Sequence, residues 1–126
     1  LLRRHGLSDV LIDMGEIAAL GRRPDATPWR AAIALPDGGI VRRIGLSERA
    51  LATSAPLGTL LDRESRGGHI LEPRDGLPGG RWQLVSVSAR QAALADGLST
   101  ACCLLPRDAI AAALARYPDA TLEALV

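Results

Sequence analysis

The sequence predicts an α+β domain, an antiparallel sheet with helices packed on one face, and three observations lead there. Up to residue 89 the apolar runs are of strand length and are broken by Gly, Pro and Asp turns. From Gln91 the chain changes character and carries its longest run of helix formers, QAALADGLSTACCLL, which stops at Pro106 before a second helical run. Strands first and helices later is the order of an α+β chain rather than of alternating βαβ units. The 126 residues suit one domain, and a chain of this size buries roughly two-thirds of its unfolded surface. With no Phe, one Tyr and two Trp, its core has to be built from Ala, Leu, Ile and Val.

Taken in order, LLRRHG at residues 1–6 reads as the last turns of a helix closed by a Gly cap. With no Met at the start, residues upstream of Leu1 are expected. DVLIDM (9–14), Gly15 and EIAALG (16–21) read as strand, tight turn and strand. RRPDATP (22–28) is turn chemistry. WRAAIAL (29–35), Pro-Asp-Gly-Gly and IVRRIGL (40–46) predict a hairpin. Ala50 to Thr53 is a short strand, Ser54-Ala55-Pro56 turns the chain, and 57–66 follows no clear period. Gly67-Gly68 before His69 permits a close backbone approach, and the prolines and glycines of 69–80 make a loop. WQLVSVSA (82–89) alternates as a half-buried strand does. A helix over 91–105, a second over 108–116 and a closing strand over 121–126 complete the chain. The sheet is expected to contain the segments 9–14, 29–35, 40–46 and 82–89, with the first helix across one face.

The net charge is +1, and Arg carries all the positive charge because there is no Lys. The arginines fall in scattered pairs without interleaved aromatics for base stacking, so a nucleic-acid surface is not expected. Cys102 and Cys103 are adjacent on a helix and therefore face different directions, which suits neither a mutual disulfide nor a metal pair. They read as buried small hydrophobes. No apolar run is long enough to span a bilayer.

The chemistry-bearing group lies inside the long helix. Asp96 and Thr100 are four residues apart and share a helix face, with Ser99 beside them. A carboxylate with neighbouring hydroxyls is a set of hard oxygens that suits Mg²⁺ completed by phosphate oxygens. The same residues also suit local hydrogen bonding to the helix backbone.

Four stretches together carry a resemblance: Ala52-Thr53-Ser54, HILEPRDG (69–76), VSVSA (85–89) and ADGLSTA (95–101), with the Gly15-Glu16 step. Their order and spacing are similar to the C-terminal part of the ApbE family, the FAD:protein FMN transferases. The resemblance implies a T-fold-like architecture and makes residues 1–126 the C-terminal portion of a flavin transferase domain whose N-terminal half is absent from this chain. It implies FAD as substrate, Mg²⁺ as cofactor, and as partner an acceptor protein carrying a target Thr or Ser. The reaction it implies is attack of that hydroxyl on the FMN phosphorus with release of AMP. Residue by residue, Asp96, Ser99 and Thr100 match the family's metal positions. His69 matches the proton acceptor, a role that suits a near-neutral imidazole. Ile70, Thr53, Ser54 and Glu16 match flavin-nucleotide contacts. Family members are usually exported to the periplasmic face of the membrane, so the resemblance implies a periplasmic or inner-membrane-associated location, with an N-terminal lipoprotein signal as one possible route to the membrane.

The chain departs from the family pattern at four places. Glu72 stands for an Asp, Asp75 for a Thr, Ala55 for a Gly that follows Thr-Ser, and Met14 for the first of two glycines. Asp75 would place a charge near phosphates, and Ala55 would fit a positive-φ turn poorly. These substitutions keep open an alternative, a catalytically silent flavin-binding or scaffold module of the same fold. DGLSTAC (96–102) also superficially resembles the flavin-acceptor motif of partner proteins, but an apolar helix would hide its hydroxyl.

Overall fold

A computed structural model describes residues 1–60 and 67–126. After a 3₁₀ turn at Leu2–His5, capped by Gly6 in the left-handed conformation, come β1 (Val10–Asp13), β2 (Ile17–Leu20), β3 (Trp29–Ala34), β4 (Ile40–Leu46), β5 (Arg49–Ser54) and β6 (Val85–Ala89). Helices α1 (Ala92–Cys102) and α2 (Arg107–Leu114) follow, then β7 (Thr121–Leu125). Five strands form one antiparallel sheet in the order β1-β2-β5-β6-β7, while β3 and β4 pair only with each other. Asp96 lies inside α1, as the helical pattern requires.

The hairpin 29–46 forms as expected, but it is not part of the main sheet. Its inward residues Ala31, Ile33 and Leu46 pack against Ala19, Leu51 and Ala124 of the main sheet and Leu84 just before β6, and Arg30, Ala32 and Ala34 remain exposed. The indole of Trp29 donates to Leu20 O at 3.0 Å, pinning the hairpin's start to β2. The short strand at residues 50–53 occupies the place expected of the hairpin and becomes the middle of the sheet. On the opposite face Val85 and Val87 pack against Leu98, Cys102, Cys103 and Ile110, and Ala52 and Ala89 meet Ala95. The result is three layers, with hairpin, sheet and helices stacked in that order.

The extra layer corrects the reading of 82–89 as half-buried. All five residues of β6 are buried, and Ser86 and Ser88 lie on the hairpin side with their hydroxyls satisfied. Ser86 Oγ donates to Ala52 O at 3.2 Å and shares a 2.8 Å bond with Thr53 Oγ1. Ser88 Oγ donates to Glu123 at 2.6 Å and accepts from Arg49. Arg42 of β4 joins Glu123 at 3.1 Å, tying the two layers together. A buried hydroxyl without such partners would cost about 1–3 kcal/mol, so these bonds allow serine where alternation alone called for solvent.

Helix α1 ends three residues earlier than the apolar run suggested. Arg81 and Trp82 take the carbonyls of the three residues that follow it. Arg81 N–H donates to Cys103 O at 2.8 Å, Arg81 Nε to Leu104 O at 3.0 Å, and the Trp82 indole to Leu105 O at 2.8 Å. Carbonyls at a helix end need outside donors, and the arginine charge there also complements the helix dipole.

Candidate functional site

Two segments meet at the end of the sheet where β5 stops. One is the loop that begins with His69. A Cβ at Gly68 would lie 2.0 Å from Pro56 O, so only glycine lets this strand pass so close to the chain after β5. His69 N–H donates to Thr59 O at 3.1 Å, and His69 Nδ1 lies 3.2 Å from the same oxygen. A carbonyl only accepts, so Nδ1 carries a proton, and in the neutral ring the lone pair is on Nε2.

Beyond it the loop is closed by its own bonds. Gly79 N–H donates to Ile70 O, Glu72 N–H to Leu77 O, and Gly76 N–H to Glu72 O. Ile70 is buried in the core beside α1. Asp75 Oδ1 accepts the Leu77 N–H at 2.9 Å, so its carboxylate serves the turn, as a Thr hydroxyl there could. Ala55 needs no glycine: among the described residues, positive φ at non-glycine positions occurs at Ala26 and Glu48.

The other segment is the outward face of α1. Asp96 is exposed and Thr100 half-buried one turn later. Together with His69 and Ile70 they line a cleft of about 710 Å³, whose apolar wall includes Leu71, Pro73 and Leu104. The structure thus joins four of the residues singled out in the sequence. Ser99 is turned away from the cleft and fully buried; its Oγ donates to Asp96 O at 3.0 Å and bonds Ser54 Oγ at 2.7 Å. Ser54 also bonds Thr100 Oγ1 at 3.1 Å, which makes it the support behind the cleft.

Thr53 lies on the other side of β5, because neighbouring strand residues face opposite ways, and bonds Ser86. Glu16 sits at the β1–β2 turn, where its carbonyl accepts the Met14 N–H, and is not among the residues lining the cleft. Behind Ser54 the Cys103 thiol lies 3.7 Å from Ser54 O, and burial pushes that thiol up to about 11. Such a thiol stays protonated near neutral pH and is a packing group, not a nucleophile. The contact of His69 with Thr59 O has no signal in the sequence, since a backbone oxygen carries no residue identity.

The donor set can be tested against a divalent cation. Among the described residues no three His, Cys, Asp or Glu side chains converge, so a cage for a fully coordinated ion is not built. One carboxylate and one hydroxyl facing an open cleft do fit Mg²⁺, which keeps several waters and takes phosphate oxygens as further ligands.

Comparison with known proteins gives a consistent result. The model described as the ApbE family matches residues 1–126. The apo form of the flavinyl transferase ApbE of Pseudomonas stutzeri superposes with a TM-score of 0.71 at 33% identity, covering 91% of this chain and 37% of that one. The flavin transferase ApbE of Vibrio cholerae gives 0.61 at 33% identity over 79% of this chain and 33% of its own. The ApbE protein of Thermotoga maritima gives 0.76 at 24% identity over 90% of this chain and 38% of its own, a likeness of fold. The chain therefore spans between 33% and 38% of the length of these solved relatives. Among curated proteins there is no match.

Proposed function

This chain belongs to the ApbE family, and on that premise we propose that its cleft is the C-terminal part of a site that moves FMN from FAD onto a Thr or Ser hydroxyl of a partner protein. The observation carrying the proposal is the convergence of the His69 loop and the Asp96/Thr100 face of α1 on one cleft. In the reaction the acceptor oxygen bonds to the FMN phosphorus, the bond from that phosphorus to the bridging oxygen breaks, and AMP leaves with the bridging oxygen. His69 Nε2 takes the hydroxyl proton, because Nδ1 is committed to Thr59 O. Asp96 and Thr100 would hold Mg²⁺, and when bound the ion supplies neutralisation of charge on the phosphate oxygens. The buried Ile70 anchors the loop that presents His69. Thr53 and Glu16 play no part in this reading.

At two of the departures from the family pattern the local geometry supports the active reading. Asp75 is engaged in its own turn, and Ala55 is not strained. A silent module is therefore the weaker reading.

Asp96→Asn in the full-length protein is the test. The side chain is exposed, and replacing its charge is expected to change stability by no more than about 0.5 kcal/mol. Transfer, followed as the mass gain of an acceptor protein with FAD and Mg²⁺, is expected to fall at least about a hundredfold. Near-normal transfer with an unchanged Mg²⁺ requirement would remove Asp96 from the metal site and end the proposal in this form.

A further inference from the structure

The three hydroxyls behind the cleft are joined by bonds whose direction follows from counting protons. Ser99 Oγ lies 3.0 Å from the backbone oxygen of Asp96; a carbonyl can only accept, so the single proton of Ser99 is used there. The 2.7 Å bond between Ser54 Oγ and Ser99 Oγ must then be donated by Ser54. With that proton used, the 3.1 Å bond between Ser54 Oγ and Thr100 Oγ1 must be donated by Thr100. The relay runs one way, from Thr100 to Ser54 to Ser99 to the Asp96 carbonyl. At its outer end Thr100 has no proton left for the cleft. It offers lone pairs only, beside the Asp96 carboxylate.

We propose that Ser54 and Ser99 are positioning residues that turn Thr100 into an acceptor, so that this corner of the cleft selects a hydrated divalent cation over a phosphate oxygen; the inference rests on the reading of Asp96 and Thr100 as the Mg²⁺ site. An unconstrained threonine hydroxyl rotates, and it can point its proton at a phosphate oxygen as readily as its lone pairs at a cation. Here the proton is held inward before anything binds, and the negative end of the hydroxyl dipole is already aimed outward. Ser99 is fully buried and Ser54 nearly so, which keeps water from replacing either link. Ser99 thereby influences the cation without touching it.

The experiment uses the full-length protein with Mn²⁺ alone as the probe, its free fraction read by electron paramagnetic resonance, alongside thermal unfolding of each variant. Ser54→Ala and Ser99→Ala are each expected to weaken Mn²⁺ binding about threefold to tenfold, the range for one hydrogen bond. The double variant is expected to be no weaker than the poorer single, because both break the same relay. Ser99→Ala improves helix propensity, so it keeps the test valid even where Ser54→Ala folds badly. Wild-type affinity in Ser99→Ala, with binding lost in Asp96→Asn, overturns the relay alone. Losses that multiply in the double variant also overturn it, since they would show the two serines acting independently rather than through one relay. Unchanged affinity in Asp96→Asn overturns the metal reading and the inference with it.

Discussion

Gly68→Ala probes how the His69 loop is held. The added Cβ would sit 2.0 Å from Pro56 O and 2.7 Å from Pro56 C. Both are backbone atoms, so no side chain can swing aside. Restoring an ordinary separation requires about 1 Å of movement, and overpacking of this kind costs about 1–3 kcal/mol. For a domain of this size that corresponds to a melting temperature lower by about 4–12 °C. The displaced residue is next to His69, the proposed proton acceptor, and on that proposal a misplacement of about 1 Å can cost about a hundredfold in rate. Thermal unfolding of the variant and acceptor flavinylation by the full-length protein measure the two effects separately. A variant that melts and transfers like the wild type would refute both the close approach and the dependence of His69 on it.

Gly97→Ala should do the opposite to the fold. Gly97 is exposed within α1 with open space where a Cβ would go, so alanine is expected to stabilise by up to about 1 kcal/mol, seen as a higher melting temperature. If FAD passes over that surface, equilibrium titration should also show weaker FAD binding. Cys103 predicts a loss of stability in alkali. Its folded thiol ionises only toward about 11, while the unfolded thiol ionises in the ordinary range. Stability is therefore full below that range and falls as pH rises from it toward about 11; in melting curves Cys103→Ala should flatten the fall. Finally, residues 1–126 alone, incubated with an acceptor, FAD and Mg²⁺, are expected to yield no FMN adduct by intact mass, because they span 37% of the Pseudomonas stutzeri relative. An adduct would show that the remaining part is dispensable.

Much of the candidate site was legible because it obeys local rules. Asp96 and Thr100 share a face through helical spacing, and the Gly67-Gly68 pair announced a close approach before its partner, Pro56, was known. Strand alternation separates Thr53 from Ser54, so only one of the two could face the helix. Spacing could not tell which of Ser99 and Thr100 faces the cleft. That depended on which side of α1 rests on β5, and the contact joins Ser54 to Ser99 across 45 residues.

The sequence by itself determined the seven strand-like runs, their turns, the helix that carries Asp96, and the family. Each is set by periodicities of two or 3.6 residues, by Gly and Pro chemistry, or by motif order. Tertiary structure alone decided that the hairpin 29–46 forms its own layer, that β6 is buried on both faces, and that His69 meets Thr100 across a cleft. An apolar face in a sequence states only that it will be covered. Which surface covers it, and whether Ser86 and Ser88 then find Arg49, Glu123 and Thr53 within hydrogen-bond reach, depends on packing between distant segments that no local pattern records.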